Sequence, residues 1–282
     1  MDTLKNPRRE SGVLQILLHL ILIVGALAML FPFIWLVSNS FKTEAQIFSM
    51  PPILVPPKAF LGNFRQLFER HDFVRWYFNS AIVVMMRLGL TLFFSSLGGF
   101  ALAKYNFPLK NAISLIIIAS IMIPFRALIV PMFIVVHRLG LLNTHIALIL
   151  PWIATPFGIF MMRQYFLGIP DELIDAARMD GATGFWTYWH IILPLGKAGL
   201  GALSVILSVW TWTAFLWPLI ILFSAEKYVL TLGMANMIGG IAGDQLWGPV
   251  MAGATLSTIP ILIIFVFVQK YFVRGITMGA LR

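Results

Sequence analysis

Few side chains in this sequence have the types and spacing that covalent or metal chemistry requires. The chain contains no cysteine, so thiolate nucleophiles and thiolate metal ligands are excluded. Four acids form one cluster, Asp171, Glu172, Asp175 and Asp180, but no histidine lies beside them at metal-ligand spacing. A polytopic membrane enzyme acting on lipid-linked substrates stays a remote alternative. The cluster is interpreted instead as part of a surface that docks another protein.

The residues around this cluster predict a short helix that ends at a glycine. Pro170 suits a first helical position, and the acids after it place negative charge at the positive end of the helix dipole. Leu173, Ala176 and Ala177 give a small apolar face, and the paired alanines let another protein's backbone come close. Gly181 can adopt the left-handed conformation that ends a helix.

A second short helix is expected after the glycine. Thr183 is a suitable N-cap, and aromatic residues such as Phe185 and Trp186 follow it. We expect this helix to end before Pro194, because proline clashes with helix continuation. The alternative is an interfacial helical loop whose aromatic rings rest among lipid headgroups.

Two arginines lie within long apolar runs, where a charge at mid-bilayer costs at least ~2.5 kcal/mol. Arg87 and Arg126 have no carboxylate in neighbouring runs. They are candidates for binding an anionic or hydroxyl-rich ligand; the alternative is that they snorkel or pair with backbone carbonyls. Thr211, Trp212 and Thr213 are further pathway candidates, because hydroxyls and flat rings suit sugar faces, although tryptophans in such a run more often pack or face lipid.

Membrane helices must position these residues. Hydrophobic residues make up 60% and charged residues 11% of the 282-residue chain, and the mean hydropathy is +0.90, so too few polar side chains exist to cover a soluble domain. Six runs reach the ~20 apolar residues that a spanning helix needs. The sequence therefore predicts an all-α membrane protein with six transmembrane helices, at 13–37, 78–103, 112–136, 146–166, 195–223 and 249–272.

The distribution of basic residues predicts the orientation of these spans. With a cytoplasmic N-terminus, eleven Lys and Arg residues lie on the cytoplasmic side, seven on the other side and two within spans. Both termini and the loop 167–194 are then cytoplasmic. The predicted organisation is an N-terminus 1–12, a six-span domain 13–272 with its core at about 76–272, and a tail 273–282. The formal charge of +9 is attributed to the basic residues that orient the spans in the membrane. No nucleic-acid partner is expected.

Small residues in the second predicted span form a patch. Ser95, Ser96, Gly98 and Gly99 lie within five positions of one another. Such a patch usually marks close packing of two helices and sometimes lines a pore. We expect close packing here.

The chain resembles the permeases of binding-protein-dependent ATP-binding cassette (ABC) importers. The spacing Asp175-Ala176-Ala177, Gly181, Ile191 and Leu193-Pro194 is similar to the EAA signature of that family, with aspartate in place of the usual glutamate. Further stretches resemble its carbohydrate branch, in particular the maltose-type second permease subunit: Phe41-Lys42-Thr43, Asn79-Ser80, Met122-Ile123-Pro124 with Pro131, Ile169 to Leu173, Ile259-Pro260, Gln269-Lys270, Gly275 and Gly279-Ala280.

The resemblance implies a type I importer permease bundle whose loop 167–194 is a coupling helix that fits a groove on an ATPase subunit. By position, the coupling role falls on Asp175, Ala176, Ala177, Arg178, Asp180, Gly181, Ile191, Leu193 and Pro194. The implied partners are a homologous second permease, a cytoplasmic ATPase dimer that binds the ATP, an extracytoplasmic solute-binding protein and membrane lipid. The chain itself is expected to hold no cofactor and to perform no catalysis.

The implied function is import of a mono- or oligosaccharide across a bacterial or archaeal cytoplasmic membrane. The outer segment 224–248 resembles the part that meets the binding protein. Where the family often has Trp-Asn-Glu in its fifth span, this chain has Trp212-Thr213-Ala214, which leaves a sugar contact there without those polar groups. Arg87 and Arg126 keep a sugar phosphate or glycerol phosphate as an alternative cargo.

The sequence agrees that energy comes from another subunit. The G-x-x-x-x-G-K-[ST] pattern of a phosphate-binding loop is missing: the stretch from Gly98-Gly99 to Lys104 lacks the second glycine and the hydroxyl residue. All eleven acids map to predicted loops and termini, whereas a proton- or sodium-coupled transporter would place some of them within spans.

Overall fold

The computed structural model describes residues 12–238 and 246–279, with side chains at 14–238 and 246–266. Several expectations lie outside these limits. They concern the basic N-terminus, the end of the outer segment at Asp244 and Gln245, and the C-terminal motif residues from Gln269 to Ala280. All regular secondary structure in the described part is helical, so the predicted all-α fold is confirmed.

The helices follow one another with short connections. In chain order they are α1 (Gly12–Ser40), α2 (Glu44–Ile47), α3 (Gly62–Arg70), α4 (Phe73–Lys104), α5 (Lys110–Ile121), α6 (Phe125–Arg138), α7 (Ile146–Ile149), α8 (Pro156–Leu167), α9 (Glu172–Met179), α10 (Gly184–Thr187), α11 (Leu193–Leu195), α12 (Lys197–Trp212), α13 (Leu216–Ile221), α14 (Leu230–Ile238) and α15 (Trp247–Gly279). Short 3₁₀ turns (Leu150–Trp152 and Ala225–Lys227) and a π-helical turn (Tyr188–Ile192) lie between some of them.

Six segments of the described chain have the length and apolarity of membrane spans. Three are single helices, α1 from Leu14, α4, and α15 as far as Val266. The other three are bent helix pairs that meet the criteria only when each pair is counted as one span. Five of the six predicted apolar runs overlap these segments closely, and two of those five are bent. The fifth run, 195–223, is displaced: its bent pair consists of Gly184–Leu195 and Lys197–Trp212, which meet at 77°.

Two of the three breaks coincide with prolines and show where the predicted spans were too simple; the third lies at Gly196. The third predicted span is α5 and α6, which meet at an angle of 105° around Met122 to Pro124. Pro124 cannot donate a backbone hydrogen bond and disfavours helical geometry at the residue before it. The fourth predicted span consists of α7 with its 3₁₀ turn, followed by α8, and these two parts meet at an angle of 44°. Pro156 is the first residue of α8.

The fifth predicted span, 195–223, is likewise interrupted. Helix α12 ends at Trp212, and α13 begins at Leu216 after three non-helical residues. Pro218 lies inside α13, so the backbone carbonyl four residues earlier, that of Ala214, receives no helical hydrogen bond from it. That carbonyl accepts the Thr231 hydroxyl at 2.6 Å instead.

The described chain divides into two compact units, residues up to 70 with 246–256, and residues 71–238 with 257–279. In the first unit, the Asn63 amide donates to the backbone oxygens of Ser40 (2.9 Å) and Lys42 (2.7 Å). The Lys42 ammonium donates to Asn39 Oδ1 at 2.7 Å and is fully buried. Burial lowers the pKa of Lys42 from its usual value.

Glu44 fixes the start of α15 within this first unit. Its carboxylate accepts the N–H groups of Trp247 (2.9 Å) and Gly248 (3.2 Å). Both groups belong to the first turn of the helix, where the N–H groups have no intrahelical partner and the dipole favours negative charge.

The second unit is organised around the contact between α4 and α8, where backbones come very close. A Cβ added at Gly99 would lie 2.7 Å from Met162 Cβ and 2.8 Å from the Arg163 nitrogen. On α8, a Cβ at Gly158 would overlap Ser95 Oγ. The small-residue patch of α4 therefore serves close helix packing, as predicted. Apolar residues of α4, α8 and α12 cover this contact, among them Phe100, Phe166 and Leu203.

Candidate functional site

The first helix of the loop 167–194 begins two residues later than expected. The carbonyl of Asp171 accepts the N–H groups of Ile174 (2.9 Å) and Asp175 (3.0 Å). Asp171 is therefore the N-cap of α9, and Pro170 precedes the helix rather than occupying its first turn. Ile174 and Ala177 face the protein interior, while Leu173 stays 42% exposed.

Gly181 ends α9 in the predicted conformation. Its φ is +81°, and a Cβ there would meet nothing within 4 Å. The Gly181 N–H donates to the Arg178 carbonyl at 3.0 Å, and the Ala182 N–H donates to the Ala177 carbonyl at 2.9 Å. These two bonds form a Schellman motif, in which a left-handed residue lets the chain satisfy the last helical carbonyls and turn away.

The second helix starts as predicted and continues further than predicted. The Thr183 hydroxyl accepts the Trp186 N–H at 3.2 Å and so caps α10. The expected stop before Pro194 is wrong, because the chain passes through a π-helical turn and Pro194 enters the first turn of α11. Pro194 directly follows that turn, in which the Leu193 N–H donates to the Tyr188 carbonyl five residues earlier, so the backbone pairing is already shifted where the proline lacks its N–H. Gly196 then separates α11 from α12.

The two helices enclose an open groove with a volume of about 660 Å³. Five of the nine predicted coupling residues line it: Ala176, Ala177, Asp180, Gly181 and Ile191. Leu173, Ala182, Thr183 and Trp186 complete the wall. The groove is thus mainly apolar, with one carboxylate at its edge.

The remaining predicted coupling residues lie around the groove rather than in it. Asp175 and Arg178 are exposed and lie 3.6 Å apart, Asp175 Oδ1 to Arg178 Nη1. The Arg178 guanidinium also lies 5.4 Å from the centre of the Tyr105 ring. Leu193 packs against the core under the loop, and Pro194 is exposed.

Helix α4 holds the loop through two contacts that the sequence did not reveal. Lys104, at the end of α4, donates to Asp171 Oδ1 at 2.6 Å and to the Ile169 carbonyl. The Lys104 side chain is 3% exposed, whereas that of Asp171 is 75% exposed. The hydrogen bond from Lys104, together with its charge, holds the pKa of the Asp171 carboxyl below its usual range.

The second contact is buried beneath the π-helical turn. Tyr188 is fully buried, and its hydroxyl lies 2.7 Å from Ser96 Oγ. Ser96 also donates to the Leu92 carbonyl at 2.6 Å, which leaves Tyr188 to donate the bond between the two hydroxyls. In the sequence, Lys104 is only a basic residue that follows an apolar run, and Tyr188 is only one of several aromatic residues, so neither contact could be predicted.

The predicted pathway residues separate into two groups. Arg87, Thr211 and Trp212 line one small cavity of about 20 Å³ in the second unit. Arg126 and Thr213 are exposed and do not line it. The Thr213 hydroxyl donates to its own helix at the Val209 carbonyl (2.8 Å). In this structure the cavity has room for one water-sized group and none for a sugar.

The fold and the loop define a class of protein: a polytopic helical membrane protein that presents a structured helix–glycine–helix loop beside its spans. Among the described residues no group of His, Cys, Asp or Glu could hold a metal ion. The sequence matches the family described as binding-protein-dependent transport system inner membrane component over residues 95–278. The chain belongs to this family, whose members are membrane components of transport systems rather than enzymes.

Individual relatives are similar over almost the whole chain. The arabinooligosaccharides transport system permease protein AraQ of Bacillus subtilis (strain 168) is 34% identical, covering 97% of this chain and 98% of AraQ. The sn-glycerol-3-phosphate transport system permease protein UgpE of Brucella suis biovar 1 (strain 1330) is 34% identical, covering 95% of this chain and 97% of UgpE.

A solved structure shows the same fold. It is that of a bacterial ABC transporter involved in the import of the acidic polysaccharide alginate. The TM-score is 0.85 at 24% identity, and the similarity covers 95% of this chain and 100% of the other. At this identity the comparison supports the fold of the bundle alone.

Proposed function

We propose that this chain is one of two permease subunits of an ABC importer for a carbohydrate, and that the loop 167–194 receives the movement of a cytoplasmic ATPase. The observation that carries the proposal is the loop's geometry: a Schellman turn at Gly181 holds two short helices around an open apolar groove. A groove of this kind suits a partner side chain or helix edge from another subunit. Relatives named for arabinooligosaccharide transport support the cargo class.

The exposed polar residues of α9 suit a charged contact with that ATPase. Asp175 is 69% exposed and Arg178 51% exposed at their side chains, and their own separation of 3.6 Å makes only a weak surface pair. Either group can exchange its partner for one on another protein at little cost. The exposed Met179, at 88%, extends the contact surface with a flexible apolar side chain.

Movement of the loop is expected to reach the bundle through α4. The Lys104 to Asp171 pair and the Tyr188 to Ser96 hydrogen bond join the two helices of the loop to one long helix. When the ATPase dimer closes on ATP, it would displace the loop and α4 together and so favour one of two bundle states. In this mechanism the chain contributes the loop that moves, and the ATPase subunits bind the nucleotide.

The proposal includes the predicted orientation and partners. Both termini and the loop 167–194 lie in the cytoplasm, a second homologous permease completes the pathway, and an extracytoplasmic solute-binding protein delivers the cargo. The family description, which names dependence on a binding protein and an inner-membrane location, supports the last partner and the membrane.

A second candidate cargo is a sugar phosphate or glycerol phosphate. One observation favours it: the similarity to UgpE, which is named for sn-glycerol-3-phosphate transport. Uptake of radiolabelled glycerol 3-phosphate and of a neutral oligosaccharide by the same proteoliposomes distinguishes the two cargoes.

Site-specific cross-linking tests the coupling role directly, because the chain has no native cysteine. Ala176→Cys places a thiol at the groove, at an exposed residue. Leu139→Cys places one at a position that is also exposed (58%), on the side predicted to be extracytoplasmic. In an importer that still transports, Ala176→Cys should capture the ATPase subunit and Leu139→Cys should not. Capture by neither variant, or equal capture by both, would contradict the proposal.

A further inference from the structure

The cavity that Arg87 lines contains a positive charge without a negative partner among the described residues. Arg87 is 7% exposed and lies about 21 Å along α4 from Phe73, near the middle of this spanning helix. Its Nε atom is buried and has no hydrogen-bond partner. Among the described residues no carboxylate pairs with it, and its guanidinium carbon lies 4.7 Å from the centre of the Trp152 ring.

This contact does not satisfy the guanidinium. Arginine stays protonated in proteins, so the charge persists in the span. A cation–π contact contributes about 2 kcal/mol when desolvated, but it accepts none of the five N–H groups. A buried charge without an acceptor is costly, and proteins normally supply a counter-charge or a set of hydrogen bonds.

The rest of the described wall supplies one further donor, Ser80, and no counter-charge. Ser80 Oγ accepts the Leu230 N–H at 2.7 Å, so its own hydroxyl hydrogen is available to the cavity. The indole N–H of Trp212 donates away from the cavity to the Ser257 carbonyl (3.0 Å). The Thr211 hydroxyl donates to the Leu207 carbonyl at 2.7 Å. Arg87 and Ser80 therefore face the same space with free donors.

The volume decides which ligand fits. About 20 Å³ exceeds the space that one water needs but excludes a sugar, a phosphate or a sulfate. A water molecule would accept one hydrogen bond and leave the charge uncompensated. A single-atom anion accepts bonds from both donors and compensates the charge as well.

We propose that this cavity is a binding site for a monovalent, single-atom anion, chloride under ordinary conditions, held by the Arg87 guanidinium and the Ser80 hydroxyl. The site lies within one unit of the chain and is separate from the groove of the loop 167–194. It makes no assumption about the transported solute, so it stands or falls independently of the proposed carbohydrate function.

The test uses the purified, assembled importer at constant ionic strength, with sodium chloride exchanged for sodium gluconate. Chloride should raise the melting temperature in a saturable manner, because a ligand that binds only the folded state stabilises it. Arg87→Gln should lower the apparent chloride affinity by at least about tenfold, as expected for loss of a charge-assisted hydrogen bond. Arg126→Gln, which removes an exposed arginine outside the cavity, should leave the response unchanged.

Anomalous diffraction from bromide-exchanged crystals of the unaltered importer provides a second measurement that needs no variant. A bromide peak beside Arg87 and Ser80 is the expected result. A saturable chloride response that Arg87→Gln retains, a response that is missing in the unaltered protein, or an anomalous map without a peak in this cavity would each overturn the proposal.

Discussion

Replacing Gly181 by alanine tests whether the left-handed turn transmits force. The residue has φ +81° and open space around its missing Cβ, so the substitution clashes with nothing and its whole cost is conformational. For a residue with a Cβ, the left-handed conformation costs about 1–2 kcal/mol. That cost lowers the population of loops in which the helix end is bent at residue 181, relative to loops in which it is unravelled, by a factor of about 5–30.

The expected result is a loss of coupling rather than a loss of the protein. In proteoliposomes, Gly181→Ala should raise the number of ATP molecules hydrolysed per solute imported, because the ATPase would act on a loop whose end has unravelled. Gly181→Asn should do so less, since asparagine tolerates this conformation better than alanine. Gly181→Pro should be the most severe, because it also removes the N–H bond to the Arg178 carbonyl.

Gly140 offers a closely matched control. Its φ is +67°, and a Cβ there would likewise meet nothing within 4 Å, but it follows α6 in a different loop. Gly140→Ala should lower thermal stability by a similar amount and leave the ATP-to-solute ratio unchanged. The reasoning about Gly181 would be refuted if both variants changed that ratio equally, or if Gly181→Ala lost stability while keeping normal coupling.

Three further predictions follow from the contacts of α4. Tyr188→Phe should cost about 1 kcal/mol of stability and should lose nothing more when combined with Ser96→Ala, as a double-mutant cycle of melting curves would show. Gly99→Ala should prevent stable folding because its Cβ would lie 2.8 Å from a backbone nitrogen, whereas Gly98→Ala, with contacts no closer than 3.5 Å, should fold; yield of monodisperse protein measures both. Because the pKa of Asp171 is lowered, its contribution to stability is present above the ordinary carboxyl pKa of about 3.9 and is lost as pH falls through the lower folded value. Lys104→Met should remove that loss from melting curves recorded below about pH 4.

The local features of the loop could be predicted from sequence because each depends on a few adjacent residues. Gly181 ends a helix since it is the residue that can adopt positive φ there without strain, and Thr183 caps the next helix since its hydroxyl reaches the N–H three residues on. The prediction that the second helix ends before Pro194 failed for an equally local reason. A π-helical turn places the proline in a tolerated position, and no sequence pattern predicts that turn.

The contacts between distant segments could not be predicted in this way. Lys104 and Asp171 are separated by 67 residues, and Ser96 and Tyr188 by 92, so neither pair has a periodicity that could reveal it. The convergence of Arg87 and Thr211 on one cavity depends equally on packing. Hydropathy located five of the six candidate spans but neither the bounds of the fifth nor the bends, because a proline can kink a span without lowering its apolar content.

Under the proposed function, the described contacts make α4 one route by which movement of the loop reaches the bundle, beside α8 and α12, to which the loop is joined along the chain. Tyr188 is bonded to Ser96 in the interior, and Asp171 is bonded to Lys104 two turns further along the same helix. The close approach of Gly99 to Met162 leaves no room for a Cβ between α4 and α8 at this level. A displaced loop can either break the Tyr188 and Asp171 bonds or carry α4 with it. Since the Tyr188 bond is buried and breaking it would leave a hydroxyl without a partner, joint movement is the less costly response.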